Sequence, residues 1–444
     1  MSKSKVSVVK YEKPLESVRK LVESVNLFDG IPKDAKIFIK PNIVYWNRFS
    51  NFPKWGVITS SRIIEDVVVL LKERGIDDIT IGEGIVTADV KDTETSADAF
   101  EKLGYNILKE KYGVKPINTF EHPFEKVDLG TGFKTKFCSD ALAADVVISI
   151  PVLKTHSQAV VTLGFKNLKG LINYSSRKKF HSADPEKDLH YNIAQLPNKL
   201  KKVLTIIDGL YTLERGPAID GKAHRKNILV ASTDILSADM VGSKLLGIEP
   251  SDVPHLAQAA KDRKRPMDLS DIEVVGEKIE DLASHHEWDF IYNEAGDLPL
   301  PLERIGVEGL KYHKYDSSLC TYCSGINGML LLIIKNAWRS RKGKPFDKVE
   351  FLNGKLQKPT PGMNKTILIG QCQCNMNKDH PDINEAIPVK GCPPSMEDVR
   401  HAFSQIGIEL PGAMLENTNK AGAGFFMAKY KGRPEFEESF YQIS

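Results

Sequence analysis

Two hydrophobic rhythms alternate along the first two thirds of the chain. Short, β-branched runs have the length of strands, and longer stretches carry apolar residues at helical spacing. Lys36-Ile37-Phe38-Ile39-Lys40 is the first such strand and ends at Pro41-Asn42. Ser60 or Ser61 then caps a helix through Arg74, with Ile63, Ile64, Val67, Val68, Leu70 and Leu71 on its apolar face and Gly75 as its stop. Asp78-Ile79-Thr80-Ile81 is the next strand and runs into Gly82-Glu83-Gly84. The segment from Ala144 to Ile150 is almost wholly apolar, as expected of a strand covered on both faces. Val203–Asp208 and Lys226–Ala231 add two more strands, and a helix from Ile235 to Leu246 closes at Gly247. This alternation predicts an α/β domain with a mostly parallel sheet and flanking helices.

The pattern changes near Leu298. Prolines at 299 and 301 mark a linker, and a cysteine-bearing region begins near Tyr312. It has its own strand-like runs, Lys348–Leu352 and Thr366–Ile369, and a helix after Pro394. The expected organisation is an α/β domain over 1–298 and a smaller α+β domain over 310–444. The longest apolar run, Gly328–Lys335, is far shorter than the roughly 20 residues that span a bilayer and reads as a buried helix or strand. No membrane partner is expected.

Five of the six cysteines lie in that second region. Cys320 and Cys323 form a C-x-x-C, Cys372 and Cys374 follow, and Cys392 precedes Pro393-Pro394. The first residues, MSKSKVSVVKYEKPLESVRK, lack an unbroken apolar stretch, so a cytoplasmic, reducing location is expected and disulfides are not. Clustered thiols in that setting suit a soft metal or an iron–sulfur centre. Zinc ribbons usually repeat two close pairs, whereas here one pair is followed by separated singles. Structural zinc and unliganded thiols stay open as alternatives. Prolines after Cys392 remove amide donors and fix the loop, and the helix beyond them would offer a positive N-terminus to an anionic cluster. Cys138, the sixth, reads as buried and inert.

The segments CTYCSG, GQC and GCPPS resemble the cluster-binding pattern of the small subunits of nickel–iron hydrogenases and related complex I subunits. The resemblance implies one [4Fe–4S] cluster on Cys320, Cys323, Cys372 and Cys392, with Cys374 as the alternative to Cys372. It covers only those short segments.

A longer resemblance covers residues 5 to 290. IKPNIV (39–44), TSSRIIEDVVVLLKERG (59–75), ADVVISIPVLKTH (144–156), TLGFKNLKGLI (162–172), LTIIDGLYTLERGP (204–217) and ASTDILSADMVGSKLLGI (231–248) are similar to the family called domain of unknown function 362. That family's members often carry a C-terminal iron–sulfur segment, and its name implies no reaction. A fainter similarity to the N-terminal region of the nickel-pincer lactate racemase family rests on Lys154-Thr155-His156, the Gly164–Gly170 segment and His181 or His190. It implies that His156, Lys166 and Lys169 face a pocket and gives no ground for nickel.

Charge sharpens the picture locally. The formal net charge is only +3, but between Lys154 and Lys202 ten Lys or Arg and three His face only three acids. That excess predicts either a solvated surface or an electropositive pocket for an anionic small molecule. Nucleic acid is not expected, because no stacking aromatic series interleaves the basic residues. Ligands bind at strand ends in open parallel sheets, which singles out Lys40, Asn42, Glu83, Lys154, His156 and Asp208. His156, Lys166, Lys169 and Lys40 are the candidate catalytic groups. Lys154, Asn42, Gly164, Asp208 and Glu83 are candidate substrate contacts, with Lys40 pairing structurally with Asp208 as the bland alternative. Neighbouring cations would keep His156 neutral, as a general base requires. Gly164 and Gly170, with two lysines between, would let backbone amides approach an anion.

The function expected is an anaerobic iron–sulfur oxidoreductase acting on an anionic small molecule, with a redox protein as partner and a homodimer allowed. An electron-carrier or partner-binding protein, and a non-redox lyase or hydratase with an open iron, are the alternatives.

Overall fold

The computed structural model describes residues 3–87, 92–409 and 424–443. The chain divides into two compact units. The first gathers 1–176, 190–289 and 420–444, and the second gathers 177–189 and 290–419. Sequence reading placed a single boundary near 300. Instead the short excursion 177–189 packs with the second unit, and the described C-terminal residues pack with the first.

The first unit is built on one large sheet. Across it run Ile272–Gly276, Ser4–Lys10, Lys222–Ser232, Val203–Glu214, Val146–Ile150, Ile37–Pro41, Ile79–Glu83 and Lys115–Asn118. The last five are mutually parallel, while Lys222–Ser232 is antiparallel to both of its neighbours. Val203–Glu214 is longer than the expected strand. It pairs with Val146–Ile150 at its start, shifts register between Gly209 and Tyr211, and pairs further on with Val152–His156. Its second half and the Ser4–Lys10 strand escaped the sequence reading because polar residues interrupt their apolar rhythm.

The helix Ser61–Glu73 covers the sheet with the predicted face: Ile63, Ile64, Val67, Val68, Leu70 and Leu71 are all buried. Those side chains join one core with Ile37, Ile39, Ile79, Ile81, Ile148 and Leu204. The C-terminal residues enter the same core through Tyr430, Phe436, Tyr441 and Ile443. Trp55 Nε1 donates to Glu437 O at 3.2 Å and Lys54 pairs with Glu438 at 2.9 Å, so this segment is tied down as well as packed. No signal in its own sequence announced it.

The second unit has a four-stranded sheet in the order Leu310–Tyr312, Val349–Leu352, Lys365–Ile369, Glu385–Val389. All three pairings are parallel, so this unit is itself α/β in arrangement where α+β was expected. The apolar run at 328–335 lies within a 20-residue helix, Thr321–Ser340, whose Ile326, Leu330, Ile333, Ile334 and Trp338 face the core. Among the described residues, no helix is long and apolar enough to cross a membrane.

Candidate functional site

The strand ends of the first unit hold a dense polar network, in which Asn42 Oδ1 is buried without a hydrogen-bond partner among the described residues. Lys40, at the end of its strand, is fully buried and pairs with Glu83 Oε2 at 2.6 Å. Its ammonium also donates to Pro41 O at 2.7 Å and Asn167 Oδ1 at 3.4 Å. Glu83 accepts in addition from the amides of Ile43 (3.0 Å) and Gly84 (2.8 Å). Asn42 donates from Nδ2 to Asn167 Oδ1 at 3.1 Å, and its amide donates to Thr59 Oγ1 at 2.8 Å. Asn167 completes the circuit by donating to Lys40 O and to Ser149 Oγ. Burying a charge is costly unless it is paired and hydrogen-bonded, and here both charges are.

This arrangement corrects several expectations. Lys40 pairs with Glu83, and Asp208 has a different task. Asp208 accepts from the Ser60 amide at 2.7 Å and the Leu210 amide at 3.0 Å, which ties the start of the Ser61–Glu73 helix to the long strand. Burial raises its carboxyl above the usual range against those two donors. Lys154 is fully buried and donates to Val57 O at 2.7 Å and Pro217 O at 3.0 Å. Burial, then the charge of Lys166, pulls it well below the ordinary lysine value. Its amine is thus engaged in stitching loops together.

The glycine segment also serves the interior. Residues 163–167 form one helical turn, and the amides of Gly164 and Phe165 donate to Asp239 Oδ1 and Oδ2 at 2.7 and 2.9 Å. In place of an incoming anion, these amides meet the protein's own Asp239 carboxyl, which burial pushes up to about 8. A Cβ on Gly164 would sit 2.8 Å from Asp239 Oδ1, and one on Gly170 would sit 2.2 Å from Glu83 Oε1. Both glycines are required by buried carboxylates, not by an incoming ligand. Asp239 was not singled out from sequence; its signal was an acid in the apolar helix Ile235–Leu245, of which every residue but Lys244 is buried. Asn167 gave no comparable signal.

His156 is buried, and its Nδ1 accepts from the amides of Gln158 (3.1 Å) and Ala159 (3.2 Å). An imidazole that accepts at Nδ1 carries its proton on Nε2. In that tautomer it is a donor and not the expected general base. Lys169 is buried, while Lys166 is partly exposed. The two further histidines part company: His181 lies in the second unit with Nδ1 2.8 Å from Ser317 O, and His190 stacks on His255 in the first, centroids 6.2 Å apart.

The cysteine region has a different character. Cys320 is the N-cap of the Thr321–Ser340 helix, and Cys323 lies in its first turn. A hydrogen bond with Cys323, the amides of Cys323 and Tyr322, and the charge of Lys355 hold the Cys320 thiol below the ordinary cysteine value. Cys323 is correspondingly raised, with Cys320, Cys392 and Cys372 all close enough to repel its thiolate. Cys372 interacts in turn with Cys320 and Cys392. Gly370, at φ +87°, begins the helix Gly370–Asn377, and a Cβ there would sit 3.1 Å from Cys323 Sγ. Four thiols from three places in the sequence thus influence one another.

Cys374 does not join them. It is buried between Leu352 and Leu368, with its thiol 3.4 Å from Leu368 O, whereas Cys372 is exposed. Residues two apart on a helix point to nearly opposite sides, so the Gly370–Asn377 turn separates the two cysteines. Cys138 is buried, and burial pushes its thiol up to about 11.

The helix after Pro394 contributes less than expected. Ser395 accepts from the Asp398 amide at 3.0 Å, and Glu397 and Asp398 occupy the first turn. Positive charge comes instead from the start of the Thr321–Ser340 helix, from Lys355 and from Lys178, whose Nζ lies 3.3 Å from Cys392 Sγ. Neither lysine was singled out from sequence, because neither neighbours a cysteine along the chain.

Among the described residues, no group of three or more His, Cys, Asp or Glu that could hold a metal ion is found. A single zinc at about 2.3 Å from each sulfur would need them nearly in contact. A cuboidal cluster carries its ligands on separate irons and holds them wider apart. The thiols of Cys320, Cys323, Cys372 and Cys392, with Lys355 and Lys178 near them, are the donor chemistry that such a group would take.

Comparison with known proteins bears mainly on the first unit. The Thylakoid-associated protein sll1697 of Synechocystis sp. is 27% identical over 247 residues, which are 55% of this chain and 73% of that relative. The lactate racemase apoprotein from Thermoanaerobacterium thermosaccharolyticum is similar in structure at a TM-score of 0.36 and 14% identity, over 57% of this chain and 58% of that one. Residues 37–244, which hold the whole Lys40–Glu83 network but none of the five clustered cysteines, match the family described as Domain of unknown function (DUF362).

Proposed function

We propose that the chain is an iron–sulfur redox protein. One [4Fe–4S] cluster would be held by Cys320, Cys323, Cys372 and Cys392, and would supply one-electron transfer when bound. The observation that carries this reading is the sorting of the five cysteines: four thiols converge beside cations, and the fifth is turned into the core. Four protein ligands favour electron transfer over the lyase or hydratase alternative, which needs an iron left open.

The activity we infer is that of an oxidoreductase on an anionic small molecule. Lys166, which is partly exposed, is the cation best placed to contact it, and His156 Nε2 would donate a hydrogen bond. A second reading, that of an electron carrier exchanging with a redox protein, is favoured by one observation. Lys40, Lys154, Asp208 and the Gly164 amide, all expected to meet substrate, are engaged internally. A cytoplasmic location suits either reading, since free thiolates persist in reducing surroundings.

Paired variants test the ligand assignment. Cys372→Ser should bleach the visible absorbance of anaerobically purified protein, and Cys374→Ser should leave it. Equal bleaching in both, or in Cys374→Ser alone, would overturn the assignment.

A further inference from the structure

The segment 177–189 leaves the first unit and packs with the second. Its placement there is specific. Lys355 Nζ donates to the carbonyl of Lys178 at 3.3 Å and also to that of His181. His181 Nδ1 donates to Ser317 O at 2.8 Å, three residues before the first ligand cysteine. Ser318 Oγ in turn accepts from the Lys355 amide at 2.7 Å. The turn is therefore held from both sides by residues that flank the cysteine set.

What this anchoring delivers is one ammonium group. Lys178 Nζ lies 3.3 Å from Cys392 Sγ and 3.4 Å from Cys392 O, and it sits 5.1 Å over the Tyr322 ring, between the two cysteines of the C-x-x-C. Its charge also reaches Cys372. The aromatic face and the carbonyl fix the direction of the ammonium, and the Cys392 sulfur accepts a hydrogen bond from it.

We propose that Lys178 is a positioning residue that sets the reduction potential of the centre held by the four cysteines. The inference rests on the cluster proposed above. Adding one electron to a thiolate-ligated centre makes it more negative, with no bond formed or broken. A cation donating to a ligand sulfur therefore stabilises the reduced form more than the oxidised one and raises the potential. The chain carries this cation in from outside the cysteine region, so 177–189 is a tuning element for the centre.

The test is a dithionite titration of the full chain, followed by electron paramagnetic resonance, on the wild type and the Lys178→Met, Lys178→Arg and Lys179→Met variants. Lys179→Met removes the same charge one residue away. Lys178→Met should lower the potential, changing the equilibrium constant for reduction by about tenfold, or about 59 mV for one electron. Lys178→Arg and Lys179→Met should stay near wild type. An unchanged potential in Lys178→Met, or an equal shift in Lys179→Met, would overturn the inference while leaving the cluster reading intact. If Lys178→Met loses its iron, Lys178→Gln is compared with Lys178→Arg. Loss in Gln with retention in Arg supports the role of the charge, and loss in both overturns it. Absence of iron and sulfide from the wild type would instead remove the underlying cluster reading.

Discussion

The strand-end network of the first unit and the cysteine set of the second both concentrate reactive side chains, yet they spend them differently. Around Lys40 and Glu83, each charge meets another protein group: a carboxylate, two carbonyls or an amide. Around Cys320, Cys323, Cys372 and Cys392, each thiol disfavours ionisation of a neighbour, Cys320 and Cys323 share a hydrogen bond, and lysines from elsewhere in the chain approach the sulfurs. A constellation that satisfies itself holds a fold together. On the reading proposed above, the gathered thiols serve a ligand instead.

The sharpest way to break this comparison is at the cysteines. Cys392→Ser should abolish the visible absorbance and lower the thermal transition of the second unit, leaving that of the first in place. Calorimetry with absorbance at matched temperatures reads both, and a shared shift would mean the cysteines support the whole chain. Next in size is the ion pair. Lys40→Met leaves the Glu83 carboxylate buried without its cation and should cost about 3–5 kcal/mol in denaturant unfolding. Adding Glu83→Gln should recover part of that loss, and full stability in the single variant would show the network to be open after all.

A smaller effect is expected from His286. Burial lowers it to about 4, with Nδ1 donating to Ser284 O, Nε2 accepting from Thr212, and His224, Glu214 and Lys226 as its charged neighbours. Its folded value lies below the unfolded one near 6.5, so the unfolded chain binds the extra proton between them. Stability should therefore rise from pH 4 to 6.5, by up to about 3 kcal/mol at 1.36 kcal/mol per unit. His286→Gln should flatten that window, and an unchanged slope would assign it to other groups. Smallest of all in stability, within about 0.5 kcal/mol, is Lys166→Ala. It should keep the cluster spectrum and weaken binding or turnover of an anionic substrate. Undiminished turnover would favour the electron-carrier reading.

Much of the fold was legible because period and length carry it. The Ser61–Glu73 helix buries the expected six residues, and the apolar strands lie within the sheet as read. The candidate site was legible by residue type and not by role. Lys40 stands at a strand end and Gly164 in a helical turn, whereas Lys154 and Asp208 lie within the strands Val152–His156 and Val203–Glu214, and sequence spacing cannot say whether a partner comes from the chain or from solution. Asp239 lies 75 positions after the Gly164 amide it caps, and Glu83 lies 43 after Lys40. The choice between Cys372 and Cys374 turned on helical phase, which the strand assumed before them hid. Lys178 lies 214 positions before Cys392, a separation no local motif records.

The account's central claim is tested most directly by anaerobic purification with iron and sulfide quantitation, then electron paramagnetic resonance after dithionite reduction. It predicts about four irons and four sulfides per chain and an S = 1/2 signal on reduction. About one zinc per chain, with no sulfide and no signal, would make the cysteine set a structural staple and contradict the redox reading.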